Sequence, residues 1–492
     1  MPMPSHRSLA RAGGVLLLLV AVSACGSGVQ TTAPTAPGGP EGAGTETTVR
    51  PTGSIDFTPC GSAECGMVTV PVDHAQPDGP TIDLSVVRVP AANPDERIGV
   101  LLTNPGGPGA NGVDFALARP FPQEVLDRFD LIGWDPRGVG DSEPLECGDE
   151  VDPFLDLDPQ PDDAGEQRAL DRAARAVADE CEAEDGELLP HIGTADVVQD
   201  MDAIREALGE DQISYAGFSY GTALGLGYVE QFPERTRAMV LDGVVDPTQG
   251  LTDFLLTQGE AIEAQVDSVL AACDDDPSCP LDDAAATYDR VATAIDDQPL
   301  PGGDGEVGPA ELQTAVVYVT YEFSPGDDAA LWQALADADA GDGQGLNDLA
   351  QQYYDLGAYT PYAAVECVDS PVPQGGAAYQ EFADQLIAVA PRTGASVANE
   401  LLPCAFWPAP PSGDPHEVTA PGSPPVLVVG NTGDAATPYQ QAVDVADNLE
   451  QGRLLTLDAE GHVGSGRSQC VDDAVAQYLI TLELPADGTV CE

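Results

Sequence analysis

The chain has 492 residues, 42% of them hydrophobic, which is enough for a sizeable core and excludes a wholly disordered polymer. Its formal net charge is -65, from 83 Asp and Glu against 18 basic residues, every one of which is Arg. Such a surface repels nucleic acid and anionic membrane, so neither is an expected partner.

Arg7 and Arg11 precede an apolar run, Val15 to Val22, which is followed by Ser23-Ala24-Cys25-Gly26. A charged start, a short apolar stretch and small residues read as a secretory leader over residues 1–25. The run is too short for a comfortable transmembrane helix. Cys after small residues resembles a bacterial lipobox, which makes Cys25 the expected lipidation site. Residues 26–54, rich in Gly, Thr, Pro and Ser without apolar periodicity, read as a flexible tether. The expectation is an extracellular, lipid-anchored monomer that touches membrane only through its anchor.

Eleven cysteines less Cys25 leave ten, an even number suited to an oxidising compartment. Neighbours in sequence suggest the pairs Cys60–Cys65, Cys147–Cys181, Cys273–Cys279, Cys367–Cys404 and Cys470–Cys491. Spacing alone does not set connectivity. No metal site is expected: Cys273 and Cys279 lie among Asp residues with no His nearby.

From residue 66 short strands alternate with helices. Met67–Val70, Leu84–Val89, Ile98–Thr103 and Phe129–Trp134 read as strands, the last two as nearly continuous apolar runs of the kind buried parallel strands require. Val197, Val198, Met201, Ile204 and Leu208 recur at helical spacing over 194–208, with Thr194 as N-cap and Gly209 as stop. Strands at Ile213–Ala216 and 238–245 follow. Residues 148–187 read as an acidic surface loop and helix. Residues 248–395 are helical, acidic and Ala-rich, after which strands at Pro425–Gly430 and Arg453–Leu457 and a helix at 472–483 restore the alternation. This predicts an α/β protein: a doubly wound, mostly parallel sheet built from residues 55–247 and 396–492, with a mainly helical cap inserted at 248–395.

Gly217-Phe218-Ser219-Tyr220-Gly221 fits G-x-S-x-G after a predicted strand and before a small-residue helix, where the glycines allow a sharp turn that exposes the Ser219 hydroxyl above the sheet. A serine nucleophile needs a base, and in the order Ser, acid, His two histidines follow Ser219: His416 and His462. His416 sits in a Pro-rich loop before a strand. His462 sits just after the strand at 453–457, at the carboxyl end where ligands gather, and is preferred. Asp434, directly after strand 425–430, is the expected acid that orients His462. Asp458 competes but lies too near His462 on the same strand end. The oxyanion donors expected are the Tyr220 N–H and an N–H of the loop Asn104-Pro105-Gly106-Gly107-Pro108-Gly109, with Gly107 first and Gly106 as fallback. This chemistry needs neither a metal nor an organic cofactor.

The same segments resemble a known family. Asn104–Gly109 is similar to the His-Gly-Gly-Pro-Gly loop of the prolyl-aminopeptidase group of α/β-hydrolases, and Gly133-Trp134-Asp135-Pro136-Arg137-Gly138-Val139-Gly140-Asp141-Ser142 to its D-x-R-G-x-G-x-S segment. The nearest likeness, from about residue 55 to the C-terminus, is to secreted tripeptidyl aminopeptidases of actinobacteria, including mycobacterial cell-envelope serine proteases of that type. It includes Glu366-Cys367-Val368-Asp369, Cys404-Ala405-Phe406-Trp407 and Asp434-Ala435-Ala436-Thr437-Pro438. Pro105 replaces the group's His, so proline specificity is not implied. The resemblance implies the α/β-hydrolase fold and release of short peptides, tripeptides above all, from free N-termini. It makes Glu366 and Asp369 candidates for holding the substrate amine, and places Thr437 beside the site. Two alternatives stay open at this point: a cell-surface carboxylesterase or lipase using the same triad, and a catalytically silent binding lipoprotein.

Overall fold

The computed structural model describes residues 54–145, 147–303, 305–321 and 326–492. The leader, Cys25 and nearly all of the tether lie outside the described residues. Among the described residues twelve strands follow in chain order: β1 (Thr58–Cys60), β2 (Ala63–Pro71), β3 (Thr81–Val89), β4 (Gly99–Asn104), β5 (Phe129–Trp134), β6 (Ile213–Phe218), β7 (Thr236–Asp242), β8 (Leu300–Gly302), β9 (Gly305–Val307), β10 (Val426–Gly433), β11 (Gly452–Glu460) and β12 (Val490–Cys491). Ten of them form one sheet in the order β1-β2-β3-β5-β4-β6-β7-β10-β11-β12. β1, β2 and β3 pair antiparallel, as do β3 and β5; every pair from β5 and β4 onward is parallel. β8 and β9 form a separate hairpin.

The inner strands are apolar because both faces are covered. Every residue of β4, β5 and β6 is buried. On one face the sheet packs against helices Thr194–Leu208, Gly221–Gln231 and Tyr439–Asn448, through Val198, Met201, Leu224, Tyr228 and Val445. On the other it packs against Gly112–Ala118 and Gln469–Thr481, through Ala116, Val471, Val475 and Tyr478. This doubly wound arrangement is the α/β-hydrolase fold. Its functional consequence is topological: the carboxyl ends of β4, β6, β7, β10 and β11 lie side by side, so the five loops that leave them converge.

A third apolar cluster belongs to the cap. It includes Leu255, Ile262, Val266, Val316, Leu335, Val368 and Leu386, and runs on through Leu401, Cys404 and Trp407 to Ala409. Helix Ala164–Asp185 joins the same cluster with Leu170, Ala174, Val177 and Cys181. Residues 148–187 are therefore not a surface excursion: one stripe of that helix is cap core, and its acidic residues cover the opposite side. Disulfides link Cys60–Cys65, Cys147–Cys181, Cys273–Cys279, Cys367–Cys404 and Cys470–Cys491. The fourth ties helix Tyr359–Asp369 to the turn Leu402–Phe406.

Thr194 differs from its sequence reading. Gly193 occupies the N-cap and Thr194 is the first helical residue. Its hydroxyl is engaged elsewhere, between Tyr220 and Asp369.

Candidate active site

Ser219 sits where β6 ends and helix Gly221–Gln231 begins, with φ 54°. A non-glycine residue in the left-handed region is strained, and the surroundings hold it. Its N–H donates to Asp242 O at 2.9 Å, and its carbonyl accepts from Thr222 Oγ1 at 2.6 Å. The flanking glycines are required by close packing: a Cβ on Gly217 would lie 2.3 Å from Gly221 O, and one on Gly221 2.6 Å from Asn104 O.

His462 follows β11 and is 4% exposed. Its Nδ1 faces Asp434 Oδ1 at 3.0 Å and Oδ2 at 2.9 Å. Asp434 is anchored in turn, accepting the N–H groups of Ala436 at 3.0 Å and Thr437 at 2.8 Å, and the Thr437 hydroxyl at 3.2 Å. A carboxylate on Nδ1 sets the tautomer in which Nε2 is the free base. His462 Nε2 is buried without a hydrogen-bond partner among the described residues. Ser219, Thr437 and His462 line one cavity of about 830 Å³. Tyr321 closes over the imidazole, ring edge to ring face at 5.6 Å, and its carbonyl accepts the His462 N–H at 3.0 Å.

Neither competitor bonds Ser219, Asp434 or His462 among the described residues. Asp458 is exposed and accepts from Thr432 Oγ1 at 2.9 Å. His416 is exposed at the cavity rim, held by Asp414 O at 2.6 Å and Glu230 at 3.1 Å.

The glycine loop packs on the Ser219 turn. Gly106 donates its N–H to Asn104 Oδ1 at 2.9 Å, so it is not free to meet an oxyanion. Gly107 lines the cavity, and its N–H and that of Tyr220 have no acceptor among the described residues. Gly106 has a different duty. With φ 101°, a Cβ there would lie 2.5 Å from Phe218 O and 2.9 Å from Tyr220 N. Gly106→Ala is therefore expected to push the loop off the nucleophile turn and lower kcat by about 10²-fold, the order of losing one oxyanion donor. Stopped assays on a p-nitrophenyl ester would read it, and kcat within threefold of the parent would contradict it.

A family model described as TAP-like protein matches residues 390–491. Serine protease Hip1 of Mycobacterium tuberculosis is 35% identical over 479 residues, covering 89% of this chain and 91% of that protein. The chain belongs to the TAP-like family of α/β-hydrolases. Tripeptidyl aminopeptidase of Streptomyces lividans is 36% identical over 465 residues, covering 87% of this chain and 83% of that protein. Carboxylesterase B of Mycobacterium tuberculosis is 36% identical over 468 residues, with 87% and 86% covered. This TAP-like chain is accordingly a serine hydrolase.

The cap contributes Glu366 and Asp369 to the lining of the same cavity, both on helix Tyr359–Asp369. Burial, with repulsion from Asp369 and Glu400, pushes the Glu366 carboxyl up to about 8. Burial pushes Asp369 up to about 6, against the opposing pull of hydrogen bonds from the Thr194 hydroxyl at 2.5 Å and N–H at 2.8 Å. Thr194 also bonds Tyr220 Oη at 2.6 Å, so a chain of hydrogen bonds runs from the cap to the residue after the nucleophile. The sequence reading missed Glu400. It lines the same cavity, takes a hydrogen bond from Tyr353 Oη at 3.3 Å, and burial pushes it up to about 7. Among the described residues no arginine lines this cavity, and the chain has no lysine. Among the described residues no group of His, Cys, Asp and Glu has the arrangement of a metal site.

Proposed function

We propose that the protein is a secreted, lipid-anchored exopeptidase that releases short peptides, tripeptides by family likeness, from free N-termini. Ser219 Oγ attacks the scissile carbonyl while His462 Nε2 takes its proton, and Asp434 stabilises the imidazolium. The Tyr220 and Gly107 N–H groups receive the oxyanion. His462 then protonates the departing amine, and water repeats the sequence to release the acyl peptide.

One observation carries the choice of a free amine. Three cavity carboxylates, Glu366, Asp369 and Glu400, are raised by burial, and no arginine among the described residues lines the cavity to offset them. A substrate ammonium supplies the missing charge, and a buried carboxylate gains most from such a partner. The pH dependence follows in sign. Below about 8 the empty enzyme holds Glu366 protonated, and the cation can bind well only after that proton leaves. KM for a free-amine tripeptide anilide is expected to fall as pH rises from about 6 to 8, then rise as the substrate amine, with pKa near 7.7–8.0, loses its own proton. In Glu366→Gln the falling limb should flatten. The N-acetylated anilide should be cleaved far more slowly than the free one; equal rates on the two would overturn the aminopeptidase reading. Turnover of a p-nitrophenyl ester alone would favour a carboxylesterase.

The extracellular, anchored location rests on the leader and on Cys25. Metabolic labelling with a radiolabelled fatty acid should mark the parent and not Cys25→Ala; equal labelling of both would refute the anchor.

A further inference from the structure

We infer that Asp242 and Asn431, buried at the ends of neighbouring strands β7 and β10, are positioning residues that clamp the His462 loop from its two sides. This rests on the reading of Ser219 and His462 given above. Neither side chain lines the cavity, so neither touches substrate.

The loop needs holding. Gly461 has φ 98° and Val463 φ 64°, on either side of the base. Valine is β-branched and strongly disfavoured in the left-handed region, so such a conformation persists only where surrounding bonds over-determine it. The bonds are present and complementary. Asn431 Nδ2 donates to both carbonyls that flank His462, Gly461 O at 2.8 Å and Val463 O at 2.8 Å. Asp242 accepts the next two N–H groups, Gly464 N on Oδ1 at 2.8 Å and Ser465 N on Oδ2 at 2.8 Å. An amide can supply two donors and a carboxylate two acceptors, so each side chain matches its segment.

Burial makes the match consequential. Asp242 is 0% exposed and Asn431 1% exposed. Burial drives the Asp242 carboxyl up, while the bonds from Gly464 and Ser465 and the nearness of His462 draw it back. Asp242 is also joined to the nucleophile, since its own carbonyl accepts the Ser219 N–H at 2.9 Å. One residue thus bonds the turn that carries the nucleophile and the loop that carries the base, and their relative placement passes through it. Reacting groups displaced by about 1 Å lose on the order of 10² in rate.

The test uses two isosteric variants of the full chain, Asp242→Asn and Asn431→Asp, with a free-amine tripeptide anilide. The first sets an NH2 group against an N–H donor. The second sets carboxylate oxygen against two carbonyls. In each, kcat is expected to fall at least fivefold while KM stays within twofold, because the base is displaced and the substrate cavity is not. A residue that only adds stability would lower the melting temperature and leave kcat per folded molecule intact. Should an isosteric variant fail to fold, Asn431→Ser, which keeps one donor, carries the same threshold. Ser219→Ala separates the two layers of the argument. If it retains full activity, the active-site reading has failed. If it is inactive while the clamp variants lose less than fivefold in kcat, the clamp alone is overturned.

Discussion

Ser219→Ala is expected to abolish turnover, lowering kcat by about 10⁴–10⁶-fold on any peptide or ester the protein accepts. Nearby hydroxyls cannot take over. Thr222 Oγ1 is bonded to the Ser219 carbonyl at 2.6 Å and accepts the Val245 N–H at 3.0 Å. Thr437 Oγ1 is turned to the acid, 3.2 Å from Asp434 Oδ2. The residual rate should come from the Tyr220 and Gly107 N–H groups and from substrate binding, which persist without the nucleophile. Alanine removes one oxygen at a half-buried position, so the melting temperature should hardly change, and fluorophosphonate labelling should vanish. Labelling that survives in the variant would place the nucleophile elsewhere.

The candidate triad was legible in the sequence because its parts obey local rules, and the structure pairs Asp434 with His462 Nδ1. A strand-turn-helix with two small residues marks Ser219, and chain order and strand ends leave His462 and Asp434. What escaped was whatever depended on packing between distant segments. Glu400 and Glu366 share a cavity because the helices of the cap fold back on one another, and spacing cannot reveal that. Asp242 and Asn431 are polar residues at strand ends, where turn-formers are common, and their partners lie 222 and 30 or more residues away in the chain. A helix within 148–187 was expected, but not its burial: the stripe Leu170, Ala174, Val177 and Cys181 is spaced by three and four, yet alanine is a weak marker among so many charges. Thr194 looked like an N-cap because threonine often is one. The helix uses Gly193 instead and frees the hydroxyl for Tyr220 and Asp369.

Asp434→Asn should cost nearly as much as loss of the nucleophile, about 10⁴-fold in kcat, with KM nearly unchanged. The reason is tautomeric. In the parent, the carboxylate accepts from His462 Nδ1, which leaves Nε2 unprotonated and able to take the serine proton. The amide must choose an orientation. Ala436 N–H at 3.0 Å and Thr437 N–H at 2.8 Å both point at Oδ1, so the amide oxygen belongs there. The NH2 then falls on the Oδ2 side, 2.9 Å from His462 Nδ1, where it donates rather than accepts. Nδ1 becomes the acceptor, the proton moves to Nε2, and the nitrogen that should take the serine proton already carries one. Volume and hydrogen-bond count are nearly preserved, so the variant should fold and still bind substrate. Asp458→Asn is the matched control: its carboxylate is exposed and bonded to Thr432, and kcat should stay within twofold of the parent. Rates from both variants on one substrate decide the assignment, and a large loss in Asp458→Asn beside an active Asp434→Asn would move the acid to the other strand end.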